Sequence, residues 1–282
     1  MAPDAHDLID LEHTPIAAPG PGRDAVLARV RADLSRDGCA VIKGFLTPAG
    51  VAAAAAEADA VADMGHRSFN RTNPYFTEDD PSLPGDHPKR RFYDRSNAFI
   101  PADNFAPDGP LRRIFDAPGF DDFIRDCLEE PRDRFFRYAD PLADVIVNVA
   151  EDGPGFPWHF DTNTFTVTLA LQNADEGGAF EYVPAIREGD ENFEAVKAVL
   201  DGTSADVKTL HLEPGDLQLF KGRYSLHRVA PLTGPTPRYV AIFSYVDQPG
   251  MVGSPERTRQ LYGRVLPIHL ERAGIRGDTL ID

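Results

Sequence analysis

The spacing of apolar and polar positions changes period along the chain. From Arg23 to Leu34 the apolar residues Val26, Leu27, Val30 and Leu34 recur at helical spacing, and Gly38 follows as a stop signal. Residues 38–46 then read as a strand. Thr47 before Pro48 puts an N-cap and a first-turn proline at the head of an alanine-rich helix reaching about Met64. Residues 65–110 have no period: His66, His87, several prolines and the run Lys89-Arg90-Arg91 make a long loop, followed by the aromatic, cationic and amide mixture of 92–99. Leu111, Ile114, Phe115, Phe120, Phe123, Ile124 and Leu128 predict two helical pieces broken at Ala117-Pro118-Gly119.

From residue 143 the period is two. Strands are predicted over 143–150, 165–172, 179–183, 207–212 and 216–220, and over the apolar run from Arg238 to Val246. A helical insertion spans Glu191 to Leu200, and Ser254-Pro255 opens a last helix to about Val265. Many short strands with turn signals, preceded by helices, predict a mainly β fold with α: a double-stranded β-helix, or jelly-roll barrel, with an N-terminal helical layer. The barrel core is expected at about 140–250, inside a single domain over 23–282. Residues 1–22, rich in Pro, Ala, Gly and Asp, are expected to form a flexible N-terminal arm.

Composition narrows the partners. A hydrophobic fraction of 42% is ample for one core, and a net charge of 29 − 45 = −16 disfavours a nucleic-acid partner, whose phosphates such a surface repels. Cys39 and Cys127, without metal spacing, read as free thiols in a reducing compartment. No apolar run reaches the roughly eighteen residues of a membrane span, and the first residues lack a basic region followed by an apolar one. A soluble cytoplasmic protein acting on a small-molecule substrate, with no membrane or nucleic-acid partner, is the expectation.

Candidate chemistry centres on Trp158-His159-Phe160-Asp161. In an extended segment His159 and Asp161 point to one face. His227 follows 66 residues after the aspartate, and Arg238 follows 11 residues later at the start of an apolar strand. Two histidines and one carboxylate form a facial metal triad, and an arginine opening a buried strand needs an anion.

His159-x-Asp161, His227 and Arg238, framed by Glu213-Pro214-Gly215-Asp216 and Glu176-Gly177-Gly178, resemble the iron(II)/2-oxoglutarate-dependent oxygenases over roughly residues 37–265. The resemblance implies iron(II) on His159, Asp161 and His227, with 2-oxoglutarate and dioxygen as co-substrates, Arg238 on the distal 2-oxoglutarate carboxylate, and succinate and carbon dioxide as products. Thr168 could donate to 2-oxoglutarate, although strand propensity also explains its threonine-rich strand. Asn148 could reach co-substrate or substrate, or make a strand-end hydrogen bond. Trp158-His159-Phe160-Asp161, His87-Pro88-Lys89-Arg90-Arg91 and Gln260-Leu261-Tyr262-Gly263-Arg264 are similar to the branch of free amino-acid hydroxylases and halogenases. That branch implies a small zwitterionic substrate. Arg90, Arg91 or Arg95 would grip its carboxylate, unless these cations only answer the chain's acids in a solvated loop. Trp158, Asn163 and Tyr262 are further substrate-side candidates. In the related halogenases a small residue replaces the carboxylate ligand; Asp161 occupies that position here, so hydroxylation of an unactivated C–H bond is expected. The alternatives are oxidative tailoring of a larger natural product and a cupin without oxygenase activity.

Overall fold

Strand alternation sorts the side chains into layers in the computed structural model, which describes residues 5–67, 71–275 and 278–281. The elements are α1 (Pro21–Asp37), β1 (Cys39–Ile42), α2 (Pro48–Ala60), β2 (Asn97–Ile100), α3 (Pro110–Phe115), α4 (Phe120–Leu128), β3 (Val145–Ala150), β4 (Phe156–His159), β5 (Phe165–Gln172), β6 (Phe180–Val183), α5 (Phe193–Leu200), β7 (Lys208–Leu210), β8 (Leu217–Phe220), β9 (Leu226–Val229), β10 (Arg238–Val246), α6 (Pro255–Tyr262) and α7 (Pro267–Glu271), with shorter pieces between them. The larger sheet runs β1-β8-β5-β10-β3-β2 and the smaller β7-β6-β9-β4, all antiparallel. This is the double-stranded β-helix expected from the pattern, with helices packed on the outside of the larger sheet.

One row of the larger sheet makes the core with those helices: Val145, Val147 and Val149 of β3, Val167 and Leu169 of β5, and Ala241, Phe243 and Tyr245 of β10 bury against Val30, Phe115, Phe120 and Phe123. The alternate row, including Thr166, Thr168, Val240, Ile242 and Ser244, faces the smaller sheet. Period two thus splits every strand between a dry helical layer and a lined cavity. Phe243 shows what the dry layer contributes: it is fully buried, stacked on Phe115 at 5.2 Å between ring centroids and edge-on to Phe120. Phe243→Ala is expected to lower the unfolding free energy by about 3–5 kcal/mol in a denaturant titration, whereas a loss below about 1 kcal/mol would mean that the layer collapses into the space.

The predicted elements recur with shifted ends. The last helix stops at Tyr262, because Gly263 takes a left-handed conformation (φ 73°) and caps it, and Pro267 starts a separate turn of helix. Strand β2 lies inside the stretch read as irregular, where its four residues gave too short a signal. The flexible arm expected over 1–22 is corrected for its described part, residues 5–22. Leu8, Ile9 and Ile16 are buried in the main core, Ile9 bridges Leu46, and Thr47 Oγ1 donates to the Asp7 carbonyl (2.7 Å) while capping α2. Those apolar side chains outweigh the local Pro and Gly content, because docking on α2 and α3 supplies the partners that the segment lacks on its own. Among the described residues no helix is long and apolar enough to cross a membrane.

Candidate metal centre and its cavity

The two histidines meet across the smaller sheet. His159 ends β4, His227 lies in β9, and the two are register partners. A bulge between His227 and Val229 shifts the alternation, so that Phe156 stacks on His159 at 3.7 Å on the cavity side. Trp158 faces the other way, into the cluster of Phe160, Val183 and Leu226. Beyond the strand end, Asp161 is held by its own N–H to the Gly222 carbonyl and by the Thr166 hydroxyl, which donates to Oδ2 at 2.6 Å. Its Oδ1 stands 3.4 Å from His227 Nε2 and 3.7 Å from His159 Nε2, and one donor atom from each of the three residues lies within 4.8 Å of the others.

Hydrogen bonds behind the imidazoles set which nitrogen faces the cavity. His159 Nδ1 lies 2.7 Å from the Pro157 carbonyl and His227 Nδ1 lies 2.8 Å from the Ser225 carbonyl. A carbonyl oxygen only accepts, so each Nδ1 carries a hydrogen and each Nε2 is the ring atom left to a metal. Burial, followed by the neighbouring His227, pushes His159 well below its ordinary value, which keeps it neutral. Burial also opposes the charge of Asp161, but the flanking imidazoles, His227 foremost, and the Thr166 hydroxyl outweigh it and hold the carboxyl below the usual carboxylate range. Two neutral nitrogens and one carboxylate oxygen, converging in a buried place, fit a divalent transition-metal ion with open positions.

The triad opens into a cavity of about 90 Å³. Arg238 reaches it from the start of β10 and is buried; burial alone lowers its pKa to about 10, which leaves it charged at neutral pH. Among the described residues no carboxylate lies in ion-pair distance of it. Thr168 lines the same wall and donates to Gln218 Oε1 (2.8 Å), so its oxygen is free only to accept. Asn148 also faces the cavity, within 3.4 Å of Asn97 Nδ2, and Asn163 donates to Thr166 Oγ1 (3.0 Å) and the Phe165 carbonyl. Tyr262 lines the far wall from α6.

The structure does not bring the other substrate-side candidates to the cavity wall. Arg90 pairs with Asp79 (2.9 Å) and Arg91 with Asp201 (2.7 Å), so acids of the chain itself satisfy them. Trp158 is covered by the Arg228 guanidinium at 4.8 Å. Arg95 is buried behind the wall, 4.8 Å over the Phe156 ring, with Nη1 lacking a hydrogen-bond partner among the described residues; burial and then Arg257 lower its pKa to about 9.

Thr258 and Asp140, both in the wall, were missed in the sequence. Arg257 and Thr258 face inwards from α6 beside Leu261 and Tyr262, a stripe at i, i+1, i+4 and i+5 that was legible as one helix face. Arg257 donates to the Phe160 carbonyl (3.0 Å) and lies 3.4 Å over the Phe76 ring. Asp140 is also in the wall, accepting from Leu142 N and Gly253 N (both 2.9 Å), with His269 Nε2 at 3.0 Å. The Leu266 N–H donates to His269 Nδ1, so the ring hydrogen sits on Nε2, the atom that faces Asp140. Asp140 sits in a turn, where no period could single it out.

Fold and site together define a double-stranded β-helix with a two-histidine, one-carboxylate centre, the architecture of the iron(II)/2-oxoglutarate oxygenases. The model of one protein family, described as Halogenase D, matches residues 87–256, more than half of the chain, and the chain belongs to that family. Solved structures of the same fold include AviO1 from Streptomyces viridochromogenes Tue57, 18% identical with a TM-score of 0.54, covering 84% of this chain and 100% of that one. The epimerase SnoN, in complex with Fe3+, alpha ketoglutarate and nogalamycin RO, is 19% identical with a TM-score of 0.53, covering 79% and 84%. The alpha ketoglutarate dependent carbocyclase SnoK from nogalamycin biosynthesis is 15% identical with a TM-score of 0.54, covering 82% and 87%. Comparison with curated protein sequences gives no match.

Proposed function

We propose that the protein is an iron(II)/2-oxoglutarate-dependent oxygenase that hydroxylates an unactivated C–H bond of a small polar substrate, a free amino acid or close derivative. The observation that carries the oxygenase reading is the shared cavity: the His159, Asp161 and His227 donors face the same space as Arg238, a buried cation with no acid in ion-pair distance among the described residues. When bound, iron(II) with 2-oxoglutarate and dioxygen supplies the oxidising power, one oxygen atom ending in succinate and the other in the product hydroxyl as carbon dioxide leaves. His159, His227 and Asp161 hold the metal. Arg238 would hold the distal carboxylate of 2-oxoglutarate, its planar guanidinium suiting a bidentate fork, and Asn148 lines the same cavity. Phe156, Phe180 and Phe220 keep water from the reacting centre.

The amino-acid reading is supported by the charge of the far wall. It offers opposite charges: the Arg257 guanidinium, with Arg95 behind it, for a carboxylate, and Asp140 beside the Thr258 hydroxyl, which has no hydrogen-bond partner among the described residues, for an ammonium group. Asp161 in the carboxylate-ligand position favours hydroxylation over halogenation in this member of the Halogenase D family. Succinate release by protein purified without oxygen, then given iron(II), 2-oxoglutarate and dioxygen and screened against free amino acids and their acyl derivatives with mass detection, tests the proposal. The expected result is substrate-stimulated succinate with a product heavier by one oxygen. Turnover stimulated only by larger natural products would instead support a tailoring role, and none at all with any of them would remove the oxygenase reading.

Arg257→Gln is expected to raise the substrate KM about 10- to 100-fold, the worth of a hydrogen bond to a charged group, with little change in the KM for 2-oxoglutarate. An unchanged substrate KM would take Arg257 out of recognition.

A further inference from the structure

The loop from β8 to β9 passes the metal-ligand carboxylate at closest range through Gly222. Its carbonyl accepts the Asp161 N–H at 3.2 Å. A Cβ built on Gly222 would stand 2.1 Å from Asp161 Oδ2, 2.3 Å from Thr166 Oγ1 and 2.9 Å from Asp161 Cγ, separations that real Cβ atoms essentially never reach. Gly222 is not one of the glycines with a positive φ. An alanine could therefore adopt its backbone conformation, and the need for glycine here is one of space alone. The space is already allotted: Thr166 Oγ1 donates to Oδ2 at 2.6 Å, and this bond turns Oδ1 towards both Nε2 atoms.

We propose that Gly222 is a positioning residue: the room left by its missing side chain is the slot in which the Asp161 carboxylate lies with Oδ1 towards the metal. The inference rests on the metal-centre reading given above. Positions 161 and 222 are then coupled. A carboxylate at 161 serves as ligand only while 222 has no Cβ, and a side chain at 222 is compatible only with a smaller residue at 161. The easiest escape from the clash is rotation of the short Asp161 side chain, which leaves the fold in place and carries Oδ1 away from the histidines. Thr166 can turn its hydroxyl aside once its bond to the carboxylate is gone.

The test uses cobalt(II) as the probe, titrated into the full chain without 2-oxoglutarate and followed by visible absorption and calorimetry, for the parent, Gly222→Ala, Asp161→Gly and the double variant. Gly222→Ala is expected to weaken cobalt(II) binding at least about tenfold, as for loss of a group that orients a ligand, and to change it less than about twofold when Asp161 is already glycine, because sites without shared contacts act independently. Equal affinity of Gly222→Ala and the parent would overturn the proposal. So would the same loss in both backgrounds, which would mean that the loop backbone and not the carboxylate is affected. If Gly222→Ala does not fold, the double variant should fold and bind cobalt(II) like Asp161→Gly; a double variant that stays unfolded also overturns it. A parent protein that binds no cobalt(II) would overturn the metal reading itself and Gly222 with it.

Discussion

Asp161→Ala is expected to cut hydroxylated product by at least about 100-fold, since changes to the outer partners of metal ligands already cost 10- to 100-fold and this change removes a ligand. The reason lies in charge as well as geometry. Imidazoles bring a metal no negative charge, so Asp161 is the one negative charge that the triad offers a divalent cation. Its loss leaves two imidazoles on one side and nothing from the protein at the third position. Product formation and metal affinity should fall together in this variant. Hydroxylation within about tenfold of the parent would sink the assignment of Asp161 as a ligand, whatever happened to metal binding.

The second large effect belongs to Arg238. Truncating one partner of a buried, hydrogen-bonded charge pair costs roughly 3–5 kcal/mol, which corresponds to a rise in the KM for 2-oxoglutarate of about 150- to 4,000-fold. Arg238→Ala should show this rise while cobalt(II) binding stays close to that of the parent, because Arg238 sits at the β10 end of the cavity and makes no hydrogen bond to the triad. The protein itself should be no less stable: burial alone already lowers the Arg238 pKa to about 10, and removing a buried cation with no acid beside it relieves a desolvation cost. A 2-oxoglutarate KM within about threefold of the parent would make Arg238 a structural residue.

Both effects fall on residues that were legible along the chain. Charged or ligating side chains in or just beyond otherwise apolar strands have few structural uses, so His159, Asp161, His227 and Arg238 stood out from their surroundings. The substrate side was far less legible. Arg90 and Arg91 had the charge for a carboxylate grip, yet Arg91 meets Asp201, 110 positions away, and Arg90 meets Asp79. In a chain with 45 acidic residues, whether a cation is spent on a surface pair is decided by which acid the fold brings near it. Thr258 and Asp140 were hidden for the converse reason: each sits among ordinary helix or turn residues, and only the packing of α6 against β2 and of α7 against the segment before β3 turns them inwards.

The sequence by itself determined the local periods, hence the helices, the strands and the two faces of the larger sheet, and it determined which few residues could bind a metal and an anion. These are properties of neighbours along the chain, where a period of two or of 3.6 residues acts directly on the backbone. Only the tertiary structure decided the docking of residues 5–22 on the core, the partners of the arginines, the inward face of α6 and the room that Gly222 leaves for Asp161. Each of those depends on a contact between segments far apart in sequence, and the free energy of such a contact is set by what the fold places opposite, which no local pattern records.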